Sequence, residues 1–237
     1  MTTRTLLTSP SLADAALLAH TDQGRTWPLL AWAPGPGVRM VSSAVLGGGI
    51  GEREWVLNAQ VPPGYDRPDP AAHLRELAAG AGLTGPGVGL MTAASLADLR
   101  HAEDGGARAV VTAGIGVRGW AAEPGVGDTA VPRPGTINIV VSLPVPLTDA
   151  ALVNAVATAT EAKVQALVEL GADASGTPTD AVCVAAPVPT AGAAQPFAGP
   201  RSLWGARLAR AVHAATRAAC AELITPQGPP GTGSRPA

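Results

Sequence analysis

Lysine occurs once in this 237-residue chain, at Lys163, although Lys and Arg together number 16. It stands in Thr160-Glu161-Ala162-Lys163, inside a run of alanine and other helix formers from Thr148 to Leu170. At about 100° per residue, Leu152, Val156, Leu167 and Leu170 form one helix stripe that includes Lys163 and Thr160. The sole ammonium is therefore expected on the core side. A buried ammonium must snorkel, pair with a carboxylate, or line a polar site cut into the core. Glu161 lies off the centre of the stripe, where an exposed helix carboxylate and a catalytic one are equally expected.

Three strand entrances gather further polar groups. Ser175-Gly176-Thr177-Pro178-Thr179-Asp180 places hydroxyls and a carboxylate near backbone amides ahead of an apolar run. Gly135-Thr136-Ile137-Asn138 and Ser42-Ser43 offer similar chemistry. Taken singly, each also reads as an ordinary turn with local side-chain to backbone hydrogen bonds.

Several chemistries are excluded. A phosphate-binding P-loop needs a Gly-Lys-Ser/Thr step, and the lysine here has none. Gly47 to Gly51 is glycine-rich but lacks the GxGxxG spacing ahead of a helix, so it reads as a tight turn or a close backbone approach. His20, His73, His101 and His213 are scattered, and none lies beside a serine in a nucleophile-elbow pattern. Cys183 and Cys220 form no CxxC or Cys/His cluster, so neither a zinc site nor a disulfide framework is expected and a reducing cytoplasm fits best.

The elements that must position these residues are legible in part. Strands are predicted over Trp27 to Ala33, Val38 to Ser43, Trp55 to Val61, Gly87 to Ala93, Ala107 to Val117, Gly135 to Leu143 and Ala181 to Ala186. Helices are predicted over Pro70 to Ala81, with Asp69 as cap, over Thr148 to Leu170, ending at Gly171, and over Ser202 to Leu223. A Gly/Pro-rich loop spans Arg118 to Pro134, and the last thirteen residues, 225–237, read as a disordered tail. Strands in groups with helices set apart imply an α+β fold: a single domain over residues 1–224, with mixed, mainly antiparallel sheets packed by two or three longer helices. The composition, 46% hydrophobic and 14% charged with a formal net charge of -2, supports a core but no field for nucleic acid or an anionic membrane. No window reaches the length of a membrane helix.

Taken in order, these segments resemble the adenosylcobinamide amidohydrolase family of corrinoid salvage. The matching residues are Ser42-Ser43-Ala44 with Gly47 to Gly49, Asn58 with Val61 and Tyr65, Val88 to Ala93, Thr112 to Gly116, Gly135 to Asn138, Thr160 to Lys163, and Gly176 to Asp180. The resemblance spans roughly residues 38 to 215, and the only lysine and the only tyrosine fall inside it. The chain departs from the family pattern at Pro178 and at Ala59-Gln60.

The resemblance implies hydrolysis of the amide joining adenosylated cobyric acid to its aminopropanol arm, with the corrinoid as substrate and no cofactor; no metal ligand is assigned, and a metal requirement is left open. On that footing Lys163, Glu161 and Asp180 are the candidate catalytic residues: Glu161 or Asp180 as base on water, Lys163 as oxyanion partner or proton donor. Ser42, Ser43, Asn58, Tyr65, Thr92, Thr136, Asn138, Thr177 and Thr179 are the candidate substrate-binding residues. A rival scheme makes Thr177, Ser42 or Ser43 a covalent nucleophile. Trp55, Trp120 and Trp204 are candidates to stack on the corrin. The alternatives are a non-catalytic corrinoid binder or carrier and an amidohydrolase for another amide. Homo-oligomerisation is left open.

Overall fold

The computed structural model describes residues 12–124, 135–190 and 194–224. The second half of the loop predicted over Arg118 to Pro134, and the tail predicted over 225–237, lie outside the described residues.

Among the described residues ten strands and three α-helices follow one another as β1 (Ala16–Asp22), β2 (Arg25–Trp32), β3 (Val38–Ser42), β4 (Gly49–Glu52), β5 (Trp55–Gln60), α1 (Pro70–Gly80), β6 (Gly87–Thr92), β7 (Arg100–Asp104), β8 (Ala107–Gly114), β9 (Thr136–Ser142), α2 (Asp149–Glu169), β10 (Ala181–Pro187) and α3 (Leu203–Cys220). They form a four-stranded sheet in the order β1-β2-β5-β6 and a six-stranded sheet in the order β4-β3-β10-β9-β8-β7. All pairs are antiparallel except β5 with β6 and β9 with β10. Each parallel pair is joined through a helix, α1 or α2, as a parallel connection requires.

The sheets stack face to face with helices outside, in four layers. Trp32, Val56, Val88 and Leu90 of the smaller sheet pack between the sheets against Met40, Val110, Val140 and Cys183 of the larger one. On the outer face of the smaller sheet, Leu29, Trp55 and Leu57 meet Leu74 and Ala78 of α1. On that of the larger sheet, Val111, Ile137, Ile139 and Val184 meet Leu152 and Leu167 of α2 and Leu208 and Val212 of α3. Burying each such leucine contributes about 1.5–3 kcal/mol.

The helix boundaries follow from local chemistry. Asp69 accepts from Ala72 N at 2.8 Å with Pro70 in the first turn of α1, Thr148 accepts from Ala151 N at 3.2 Å, and Ser202 accepts from Gly205 N at 3.1 Å. At the end of α2, Gly171 takes φ 81°.

Three strands escaped the sequence reading: β1, β4 and β7, and each is an edge strand. Burial in β1 and β4 does not alternate regularly, and β7 alternates only between half-buried and exposed, because an edge has one neighbour and a solvated rim. Two predicted elements also overran: the strand begun at Ala107 ends at Gly114, and the helix predicted to Leu223 ends at Cys220.

Candidate functional site

The period-2 alternation of strands decides which side chains reach the space between the sheets. In β9, Ile137, Ile139 and Val141 pack toward the helices, whereas Val140 packs between the sheets. Asn138 shares the parity of Val140 and so faces the interlayer. By the same parity Asn58 follows Val56 on β5, Thr92 follows Leu90 on β6, and Thr112 follows Val110 on β8. Asn58 Nδ2 donates to Thr112 Oγ1 at 3.0 Å, and Asn138 Nδ2 donates to Asn58 Oδ1 at 2.9 Å and to Met91 O at 3.0 Å. Since Met91 O can only accept, the orientation of the Asn138 amide is fixed. Its Oδ1 is buried with no partner among the described residues.

This buried network closes one end of the interlayer, and a cavity of about 950 Å³ opens above it. The wall includes Ser43, Tyr65, Arg67, Thr92, Thr136, Asn138, Thr179 and Asp180. The volume is in the upper range of small-molecule sites.

Asp180 precedes β10 and shares the parity of Val182, which packs toward the helices. There it meets Lys163, 7% exposed on the inner face of α2 among Ala159, Ala162, Ala166 and Leu167. Lys163 Nζ lies 2.5 Å from Asp180 Oδ2. The carboxylate also accepts from Thr177 N at 3.2 Å, from Ile137 N at 2.9 Å and from the Thr177 hydroxyl. Four donors fill the acceptor sites of a carboxylate. Gly176 is the enabling residue: a Cβ there would stand 2.4 Å from Asp180 Oδ2 and 2.6 Å from Lys163 Nζ. Beside this cluster, Thr179 Oγ1 donates to Gly135 O at 2.9 Å, so Thr136, 2.5 Å away, donates to Thr179. The Thr136 oxygen keeps free lone pairs on the cavity wall.

The structure brings together most of the residues singled out from the sequence, and separates others. Lys163, Asp180 and Thr177 form one hydrogen-bonded cluster, and Thr136 and Thr179 a hydrogen-bonded pair beside it. Asn58 and Asn138 form the floor network. Ser42 is buried, with Oγ donating to Val182 O and accepting from Ala44 N, both at 3.0 Å, so it lies under the wall. Ser43 Oγ accepts from Val182 N at 3.0 Å and lines the cavity. Thr92 lines it too, capping Ala94 N at 3.0 Å.

Glu161 is not part of the cluster. It is two residues from Lys163, hence about 200° around the helix, and sits on the exposed outer face of α2. Thr160, expected on the core stripe, is likewise exposed, with Oγ1 turned back to Val156 O at 2.9 Å. None of the three tryptophans lines the cavity. Trp55 is buried under α1, Trp120 is 46% exposed with Nε1 donating to Asp173 at 2.7 Å, and Trp204 sits beneath the Arg207 guanidinium.

On the far wall the sequence reading named Tyr65 but missed Arg67 and His73. On the segment between β5 and α1, Arg67 lines the cavity and pairs with the buried Asp22 at 2.5 Å, and Tyr65 binds His73 Nδ1 at 3.1 Å. The available signal for His73 was periodicity: it stands four residues before Leu77, on the face of α1 that packs on the sheet. Among the described residues no helix is long and apolar enough to cross a membrane, and no three His, Cys, Asp or Glu side chains converge as a metal site requires.

An α+β sandwich with a large interlayer cavity, walled by Asp180, hydroxyls and the Asn138 carboxamide, with Lys163 paired to Asp180 from behind the wall, defines a protein with a site of small-molecule size. A sequence model of the adenosylcobinamide amidohydrolase family matches residues 14–225. A Methanosarcina mazei protein named adenosylcobinamide amidohydrolase is 34% identical over 177 residues, which is 72% of this chain and 84% of that protein. The chain belongs to the adenosylcobinamide amidohydrolase family.

Proposed function

We propose that the protein hydrolyses the amide joining the corrin side chain of adenosylcobinamide to its aminopropanol arm, giving adenosylcobyric acid for cobamide salvage. The observation that carries this reading is Asp180 on the wall of a cavity of about 950 Å³, large enough to take the arm and part of the macrocycle, with the Lys163 ammonium paired to it from behind the wall. Water adds to the amide carbonyl, the C–N bond breaks, and the amine leaves with a proton. Lys163 supplies positive charge toward the developing oxyanion while Asp180 holds it in place. Asp180 can take a proton only by releasing one of its four donors, and the Thr177 hydroxyl is the contact it can exchange for water. Thr136, Thr179 and Asn138 orient the amide.

Incubation of the purified protein with adenosylcobinamide, followed by mass spectrometry of cobyric acid and aminopropanol, tests the reading. Release of both products is expected. Binding without product would replace it with the carrier alternative.

A further inference from the structure

The far wall of the cavity holds a second polar group that the reaction scheme above does not use. Tyr65 Oη lies 3.1 Å from His73 Nδ1, and the two rings stack with centroids 5.6 Å apart and planes inclined by 9°. His73 is 4% exposed, whereas Tyr65 forms part of the cavity wall. The edge of His20, whose Nε2 is fixed to Gln60 O at 2.8 Å, meets the His73 ring at a centroid distance of 6.4 Å. The phenol thus stacks on, and hydrogen-bonds to, a buried ring.

We propose that His73 acts as a positioning residue: its Nδ1 accepts the hydrogen bond of the Tyr65 hydroxyl, leaving the phenol oxygen as an acceptor for a hydrogen-bond donor on the substrate's amide arm. This inference rests on the reading given under Proposed function, which supplies the arm and its two donors, the amide N–H and the terminal hydroxyl.

Burial holds His73 below the ordinary histidine range, with Arg67 and His20 adding to that effect and Asp22 and Glu76 opposing it. Burial also raises the Tyr65 phenol, against Arg67 and with Asp22, Asp69 and Glu76. Near neutrality the pair is therefore a neutral imidazole and a neutral phenol. A neutral imidazole has one acceptor nitrogen, and with that nitrogen facing Tyr65 the phenol has one proton to give and gives it inward. Acidification through the depressed histidine pKa turns Nδ1 into a donor, frees the phenol proton toward the cavity, and removes the acceptor.

Tyr65 is the only tyrosine, so tyrosinate absorbance reports it alone. In the ligand-free protein, His73→Phe keeps a stacked ring but deletes the acceptor. The Tyr65 titration is expected to fall toward the ordinary phenol range, and His73→Asn, which returns an acceptor, is expected to restore it. A rise in His73→Phe, or no change, overturns the assignment.

In turnover of adenosylcobinamide, Tyr65→Phe and His73→Phe are each expected to raise KM by about 2- to 10-fold with kcat little changed, the value of one neutral hydrogen bond. The acid limb of the KM profile is expected in the wild type and absent in Tyr65→Phe. An analogue with a propylamine arm distinguishes the donors: loss of the Tyr65→Phe effect assigns the hydroxyl, and retention assigns the N–H. Wild-type KM in Tyr65→Phe at all pH values overturns the proposal. A wild-type protein that neither binds nor turns over adenosylcobinamide, with the titration behaving as expected, keeps the His73–Tyr65 pair and rejects the substrate reading.

Discussion

Lys163→Met is the perturbation that the geometry makes most informative. Methionine retains the length and apolar stem of lysine but deletes the ammonium that lies 2.5 Å from Asp180 Oδ2. Both side chains are buried, at 8% and 13% exposure, so solvent takes over little of the lost interaction. Removing one partner of a buried pair costs about 3–5 kcal/mol. Asp180 would keep Thr177 N, the Thr177 hydroxyl and Ile137 N, which places the expected loss near the lower end, about 3 kcal/mol. For a chain of this size that corresponds to a fall in Tm of about 6–12 °C. Thermal unfolding of Lys163→Met, Asp180→Asn and the double variant closes a double-mutant cycle. The double variant should be less destabilised than the sum of the singles, because replacing both partners leaves no unpaired charge. Hydrolysis of adenosylcobinamide should be lost in Lys163→Met at temperatures where it stays folded. A Tm within about 2 °C of wild type, or additive losses, would refute the claim that the pair is energetically coupled, and retained turnover would remove lysine from the mechanism.

Other expectations follow from the same geometry. Glu161→Gln, on the solvent face of α2, should leave turnover at the wild-type level and stability within about 0.5 kcal/mol; a large loss of turnover would contradict its placement. Gly47→Ala should be among the most damaging single changes, since Gly47 has φ 71° and a Cβ would lie 2.0 Å from Gly87 O where the sheets approach. A loss above about 3 kcal/mol in urea unfolding is expected, and a near-neutral result would mean the two chain segments can part. Burial pushes the Cys183 and Cys220 thiols up to about 12. Neither should react with iodoacetamide at neutral pH in the native protein, and both should react on denaturation; fast native alkylation would show that the surrounding layers open.

The sequence reached the local features and stopped where partners are distant in the chain. Helix starts were legible at Asp69-Pro70, Thr148 and Ser202, because a cap is satisfied within three or four residues. Strands buried on both faces, such as β5, β9 and β10, announced themselves through continuous β-branched and apolar runs. The edge strands β1, β4 and β7 did not, since their residues are chosen by solvent as much as by the sheet.

For the site, helical periodicity was enough to turn Lys163 inward, and applied once more it would have set Glu161 on the opposite face. It could not say which carboxylate Lys163 meets. That choice belongs to the parallel pairing of β9 with β10, which brings Ile137 N, Thr177 and Asp180 to one point beneath α2. The stacking of two sheets likewise lay beyond the sequence. It converts Asn58, Thr112 and Asn138, polar interruptions in three separate strands, into one buried chain of hydrogen bonds at a cavity floor. Residue type and period fix which face a side chain takes within its own element; only the packing of elements far apart in the chain decides what that face meets.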